Sequence, residues 1–101
     1  MNKDNLLSLA VLTWGEPAQI LMAIEEMSEL TKALCKWFRS DEAAEPLVRE
    51  SILEEIADVK ITVAQMEIIF GSADGHEEKK LARLEERINA AIARKAVQKG
   101  G

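Results

Sequence analysis

The stretch AIEEMSELTKAL, Ala23–Leu34, decides how the chain is read. Around it Ile20, Ala23, Ile24, Met27, Leu30, Leu34 and Trp37 recur at helical intervals, one apolar face of a helix that turns about 100° per residue. Glu26 falls inside that face, ringed by Met22, Leu30, Ala33 and Trp37. Glu29 lies about 60° further round at the margin, and Glu25 points largely away. A carboxylate on a core-facing stripe gives up hydration, a penalty that packing alone does not explain.

The chain repeats the arrangement in LEEIADV, Leu53–Val59. There Ile52, Ile56, Val59, Val63, Met66, Ile69 and Phe70 mark the face, with Glu55 among them and Asp58 beside it. In each helix the two acids stand at i,i+3, neighbours about 5–6 Å apart on one surface. One such pair is most often a solvated helix surface; a matched second pair changes the reading. Helix, loop, helix makes the two segments antiparallel, so Glu26, Glu29, Glu55 and Asp58 can face one space. Four converging carboxylates repel, and they either take up protons or hold cations between them. Oxygen donors alone suit Mg²⁺, with Mn²⁺ as a substitute, and the two pairs bring no thiolate or imidazole for zinc or copper. Di-iron bundles also turn carboxylates inward but need Glu-x-x-His pairs. The one histidine, His76, stands instead at the start of a later helix.

The rest of the sequence completes an all-α fold in one domain, residues 1–101. A composition 48% hydrophobic, 31% charged and only 4% aromatic suits a helix-rich chain. Asp4–Trp14 reads as a short helix capped by Asp4 and stopped by Gly15, with Leu6, Leu9, Val11 and Leu12 apolar. A second helix runs over Pro17–Arg39 and a third over Leu47–Phe70, with a loop around Ser40–Pro46 between them. GSADG is turn chemistry, and a fourth helix, Glu77–Ala96, precedes a frayed Lys99-Gly100-Gly101. Cys35, the only cysteine, excludes an internal disulfide and is expected to be passive and partly buried. The net charge of −5 argues against binding a nucleic-acid polymer. There is no run of 18 apolar residues to span a membrane and no convincing signal peptide, so a cytoplasmic location is expected.

The third helix carries a second apolar stripe, Leu53, Ala57, Ile61, Ala64 and Ile68, nearly opposite the first. A helix apolar on two sides is buried on two sides, and a homodimer with the third helices central, or a tetramer as a dimer of dimers, provides the cover. In the last helix Leu81, Leu84, Ile88, Ala91 and Ile92 form the stripe expected to be buried, with Lys80, Arg83, Arg87 and Arg94 along its flank.

GEPAQILMAIEEMSELTKAL followed by SILEEIADVKITVAQM resembles the MazG-like all-α nucleoside triphosphate pyrophosphohydrolases, whose pattern is EExxE, a spacer, then ExxD. The resemblance covers roughly Leu6–Arg87. It implies a bundle of four main helices completed by homo-oligomerisation, with Glu26, Glu29, Glu55 and Asp58 as Mg²⁺ ligands. Glu25, Glu26 and Glu55 would then be the catalytic carboxylates, with Glu54 in support of the metal or the attacking water. The implied reaction converts a (d)NTP and water to the (d)NMP and pyrophosphate, in nucleotide-pool house-cleaning. KLARLEER is similar to the KLxRLxxR segment of compact MazG-like chains, which implies that Lys80, Arg83 and Arg87 reach the triphosphate. Their other reading is pairing with Glu77, Glu86 and their neighbours on a solvated face. Trp14 and Gln19 can frame the base, by stacking and by hydrogen bonds, with core packing the competing duty for Trp14. Trp37 has the same two readings, pocket wall or core. Phosphoribosyl-ATP pyrophosphohydrolases and all-α dUTPases share related carboxylate helices. Outside that class the rival is a non-catalytic helical interaction module.

Overall fold

The computed structural model describes residues 1–100, with side chains through Gln98. Four helices and no strand are present among the described residues: α1, Lys3–Trp14; α2, Glu16–Trp37; α3, Glu45–Phe70; and α4, Asp74–Gly100. Of the end expected to fray, Lys99 and Gly100 continue α4, and Gly101 lies outside the described residues.

Each helix starts slightly earlier than the sequence suggests, and at α1 the cap differs from the expected one. Asn2, not Asp4, caps α1: its side-chain oxygen accepts the Asn5 N–H at 2.8 Å. Asp41 prepares α3, its carboxylate accepting the Ala44 N–H at 2.9 Å and its carbonyl the Glu45 N–H at 3.0 Å. Ser72 Oγ accepts the Asp74 N–H at 3.2 Å, and Asp74 and Glu77 place negative charge at the positive end of α4. α2 ends at Trp37, two residues short of Arg39, where the Arg39 N–H turns back to the Lys36 carbonyl. Between α1 and α2 the chain bends by 112° at Gly15, whose φ of +89° a side chain rarely adopts. Pro17 then sits in the first turn of α2, where its missing N–H is not needed.

Residues Met1–Gly71 form one compact unit, and α4 belongs to a second. Within the first, α2 packs along α3 and α1 lies against both. The α2–α3 pair is antiparallel. Trp37 stands over Arg49 near the connecting loop, at 5.1 Å, the Glu26 and Asp58 carboxylates meet midway, and Gln19 and Gln65 line one cleft at the far end.

The side of α2 turned inward is Gln19, Ala23, Glu26, Leu30, Ala33 and Trp37, and that of α3 is Val48, Ile52, Glu55, Val59, Thr62, Gln65, Met66 and Ile69. Their alternating three- and four-residue steps are those of a coiled-coil seam. This corrects the expected faces: Ile24, Met27 and Leu34 on α2, and Ile56, Val63 and Phe70 on α3, are exposed. Two helices meeting along a seam cover a narrower strip than the apolar stripes supply, and the strip runs through the polar residues. Buried aliphatic side chains are few, namely Leu7, Val11, Ala23, Ala33 and Val48. Cys35 is exposed rather than partly buried, since it falls outside the seam. The second stripe of α3 is open at Leu53, Ile61 and Ile68. On α4 the stripe expected to be buried is exposed at Leu81, Leu84, Ile88 and Ile92, because a lone helix has nothing of its own to bury it against. No single helix is long and apolar enough to cross a membrane.

The Gly15 break can be tested against a control. Gly15→Ala forces a β-carbon into the positive-φ region and is expected to lower stability by about 1–2 kcal/mol. Gly75→Ala, at a helical residue with open space around it, is expected to be neutral or to stabilise by up to about 1 kcal/mol. Thermal unfolding followed by circular dichroism reads both.

Candidate functional site

The seam brings three of the acids together. One oxygen each of Glu26, Glu55 and Asp58 lie within 4.8 Å of one another, with Glu26 and Glu55 half-buried and Asp58 exposed. Glu55 Oε2 is buried and has no hydrogen-bond partner. A buried acceptor left in that state costs about 1–3 kcal/mol. Glu26 is held above its ordinary pKa of 4.5, first by partial burial, then by the charges of Asp58 and Glu55, by a hydrogen bond with Asp58, and least by Glu29. Crowding of this kind favours the protonated form of Glu26, one of the two ways a converging set of carboxylates can relieve itself.

The other way is a cation, and the donors fit a hard one. Oxygens at about 2.0–2.1 Å on one octahedral Mg²⁺ stand at most about 4.2 Å apart, so a small rotamer change closes the set. No thiolate or imidazole belongs to the cluster.

The remaining acids lie around it. Glu29 is exposed and bridged to Lys32 at 3.4 Å, outside the cluster but near enough to act on Glu26. A surface pair of this kind is worth less than about 1 kcal/mol, so Glu29 exchanges Lys32 for another partner at little cost. Glu25 and Glu54 are exposed on the outer sides of their helices.

Glu26 and Asp58 open onto a cleft of about 450 Å³, also lined by Trp14 from the end of α1, Ala18, Gln19 and Met22 from α2, and Ile61, Thr62 and Gln65 from α3. Trp14 and Gln19 thus share one cavity with the carboxylates. Trp14 is 66% exposed, which removes core packing as its duty. Trp37 is half-buried in the seam and lines a different depression with Leu34, Arg49, Ile52, Leu53 and Ile56, so it does not wall the cleft. Thr62 and Gln65 were missed by sequence reading. The signal for them was the anomaly that marks Glu26, a polar side chain within an apolar run, here ITVAQM four and seven residues after Asp58.

The basic residues sit on α4. Lys80 and Arg83 share a depression of about 180 Å³ with His76 and Lys79, and Arg87 lines another with Leu84, Ile88 and Arg94. The two ion pairs formed among the described residues are Lys32–Glu29 and Arg49–Glu45, so the expected pairing with Glu77 and Glu86 does not occur. No family model matches the chain, and comparison with curated proteins and with solved structures finds no match either.

The raised pKa of Glu26 sets the sign of a pH effect. Glu26 holds its proton more tightly folded than unfolded, so its contribution is fully present below the ordinary glutamate value and is lost as pH rises through the elevated one. Without divalent cations, the unfolding midpoint is expected to be higher at about pH 5 than at about pH 7, by a margin that shrinks in Glu26→Gln. Thermal scans of both proteins in EDTA at the two pH values check this; an equal margin would mean that Glu26 titrates normally.

Proposed function

We propose that the chain is a Mg²⁺-dependent nucleoside triphosphate pyrophosphohydrolase, converting (d)NTP and water to (d)NMP and pyrophosphate as a homo-oligomer in cytoplasmic nucleotide-pool house-cleaning. The observation that carries this reading is the Glu26–Glu55–Asp58 cluster set in the helix seam and opening onto a cleft with an indole and amides. The MazG-like pattern EExxE, spacer, ExxD, on whose positions the clustered acids fall, supports it.

Phosphoryl transfer asks for positioning and charge neutralisation more than for covalent help. Glu26, Glu55 and Asp58 would hold the cation. When bound, it neutralises phosphate charge and makes an attacking water more acidic. Glu26, whose pKa is raised by burial and by its acidic neighbours, would bind the cation in competition with a proton. Glu55 Oε2, without a protein partner, is free to take a place on the ion or to accept a proton from water. Glu25 and Glu29 extend the acidic rim, and Glu29 can join by releasing Lys32. Lys80, Arg83 and Arg87 are the residues that the resemblance carries over to the triphosphate. Trp14 and Gln19 frame the base.

The exposed apolar residues of α3 and α4 call for a second copy of the chain. An adaptor that binds some other protein would use the same surfaces but has no reason to place carboxylates in its seam.

Pyrophosphate release from a panel of NTPs and dNTPs, with and without Mg²⁺, tests the activity. Glu55→Gln keeps size and shape, relieves crowding, and is expected to lower kcat/KM at least about a hundredfold, near 3 kcal/mol, without loss of stability in EDTA. Retained turnover removes Glu55 from the site. For the assembly, Ile68→Glu places a charge on the second stripe of α3, away from the cleft, and is expected to dissociate the oligomer in light scattering. An unchanged mass would show that this stripe is not the contact.

A further inference from the structure

Two carboxamides occupy seam positions where packed helices ordinarily place aliphatic side chains. Gln19 is 5% exposed and Gln65 6%, and both line the cleft shared by Glu26 and Asp58. Among the described residues no side-chain hydrogen bond to the protein is formed by either, and neither amide is sealed off from the cleft, where its polar atoms are open to a ligand or to water. Between them Thr62, also buried, donates its hydroxyl to the Val59 carbonyl at 3.0 Å and keeps its lone pairs free.

Their spacing is symmetric. Gln19 precedes Glu26 by seven residues on α2, and Gln65 follows Asp58 by seven on the antiparallel α3. Both amides therefore stand at the same end of the cleft, about 10 Å along the helix axes from the carboxylates. Trp14 adds an open indole to the same space.

A cleft acidic at one end, amide-lined at the other and walled by an indole is complementary to a two-ended ligand. One end is an anion held through a cation, and the other is a flat ring with polar edges. An inorganic phosphate would satisfy the first end and leave both amides without partners. A carboxamide offers a donor and an acceptor side by side, which match the adjacent donor and acceptor on the edge of a nucleobase. We infer that Gln65, acting with Gln19, is a specificity-determining residue that binds the hydrogen-bonding edge of the base, an inference that rests on the nucleotide reading of the carboxylate site.

Gln65→Met tests it, because methionine keeps the length and shape of the side chain and removes both polar atoms. The first readout is kcat/KM for pyrophosphate release from ATP, GTP, CTP and UTP with Mg²⁺, beside phosphate release from inorganic tripolyphosphate, which has no ring. The wild type is expected to separate its best and worst bases by at least about tenfold, and Gln65→Met to bring them within roughly threefold. Its rate on tripolyphosphate should not change. The second readout needs no turnover: in a Trp37→Phe background, Trp14 fluorescence is titrated with the four nucleosides without metal. The preferred nucleoside should quench it, and Gln65→Met should abolish the response. Base ratios unchanged by the substitution overturn the inference while leaving the hydrolase reading intact. Quenching that depends on Gln65, with no hydrolysis of any triphosphate, supports the inference and overturns the hydrolase. Neither hydrolysis nor quenching overturns both. If Gln65→Met does not fold, Gln65→Glu is isosteric and only accepts, so it must shift preference toward bases that donate at that edge; an unshifted order overturns the inference.

Discussion

The α2–α3 seam is built around two half-buried glutamates, Glu26 and Glu55, that approach each other across it. Glu26 and Glu55 sit at positions facing the partner helix, and Asp58 stands beside them with its oxygen within 4.8 Å of theirs. Burial weakens the hydration of each charge, and each neighbour raises the free energy of ionising the next. Two remedies exist, a proton or a cation. The raised pKa of Glu26 reflects the first, while Glu55 Oε2 stays buried and without a hydrogen bond. The three acids lie close enough together that one ion could meet all of them, which is the geometric ground for the proposed metal site.

The polar seam also accounts for the thin core. Five aliphatic side chains are buried, two of them the alanines of α2, Ala23 and Ala33. Small residues there let the backbones approach closely while the longer Glu26, Leu30 and Trp37 share the space between. Displaced from the seam, Ile24, Met27 and Leu34 on α2 and Leu53, Ile61 and Ile68 on α3 remain open, together with the stripe of α4. Hydrophobic burial is the main favourable contribution to folding. The exposed apolar residues are the part of that contribution which the described residues leave unused.

The helices and the acids were legible in the sequence because their signals are local. Gly15 and Gly71 end α1 and α3 where they were expected to, and both take positive φ. Cap choice was not legible at α1, since Asn2 and Asp4 are both good cap formers and only the backbone decides between them. The phase of α2 and α3 was misjudged for a physical reason: a face weighted by hydrophobicity is pulled away from Gln19, Thr62 and Gln65, which share the seam with Glu26 and Glu55. Of the two i,i+3 acid pairs, Glu55 and Asp58 stay together in the cluster, whereas Glu29 lies outside it, bridged to Lys32, and only Glu26 of its pair faces α3. Trp14 shows the converse. A large aromatic ring is ordinarily read as core, and only the tertiary fold, by placing the end of α1 beside the cleft, leaves this one in the open.

The two ends of the cleft respond to different conditions, and this shapes how the whole can work. The acidic end responds to pH through the raised pKa of Glu26, and a cation bound there would favour the folded pair over the unfolded chain. Its effect on stability follows mass action and grows with the logarithm of cation concentration over the dissociation constant. The amide end has no charge to titrate, and its polar atoms keep their geometry across the same range. A ligand that spans both ends therefore meets one fixed surface and one that forms fully only when the ion is present. Glu26 and Gln19 share one helix, as do Asp58 and Gln65, so the packing of α2 on α3 fixes the spacing of carboxylates and amides along a single seam. The proposed charge and recognition ends are thus set by the same two helices, without any loop between them.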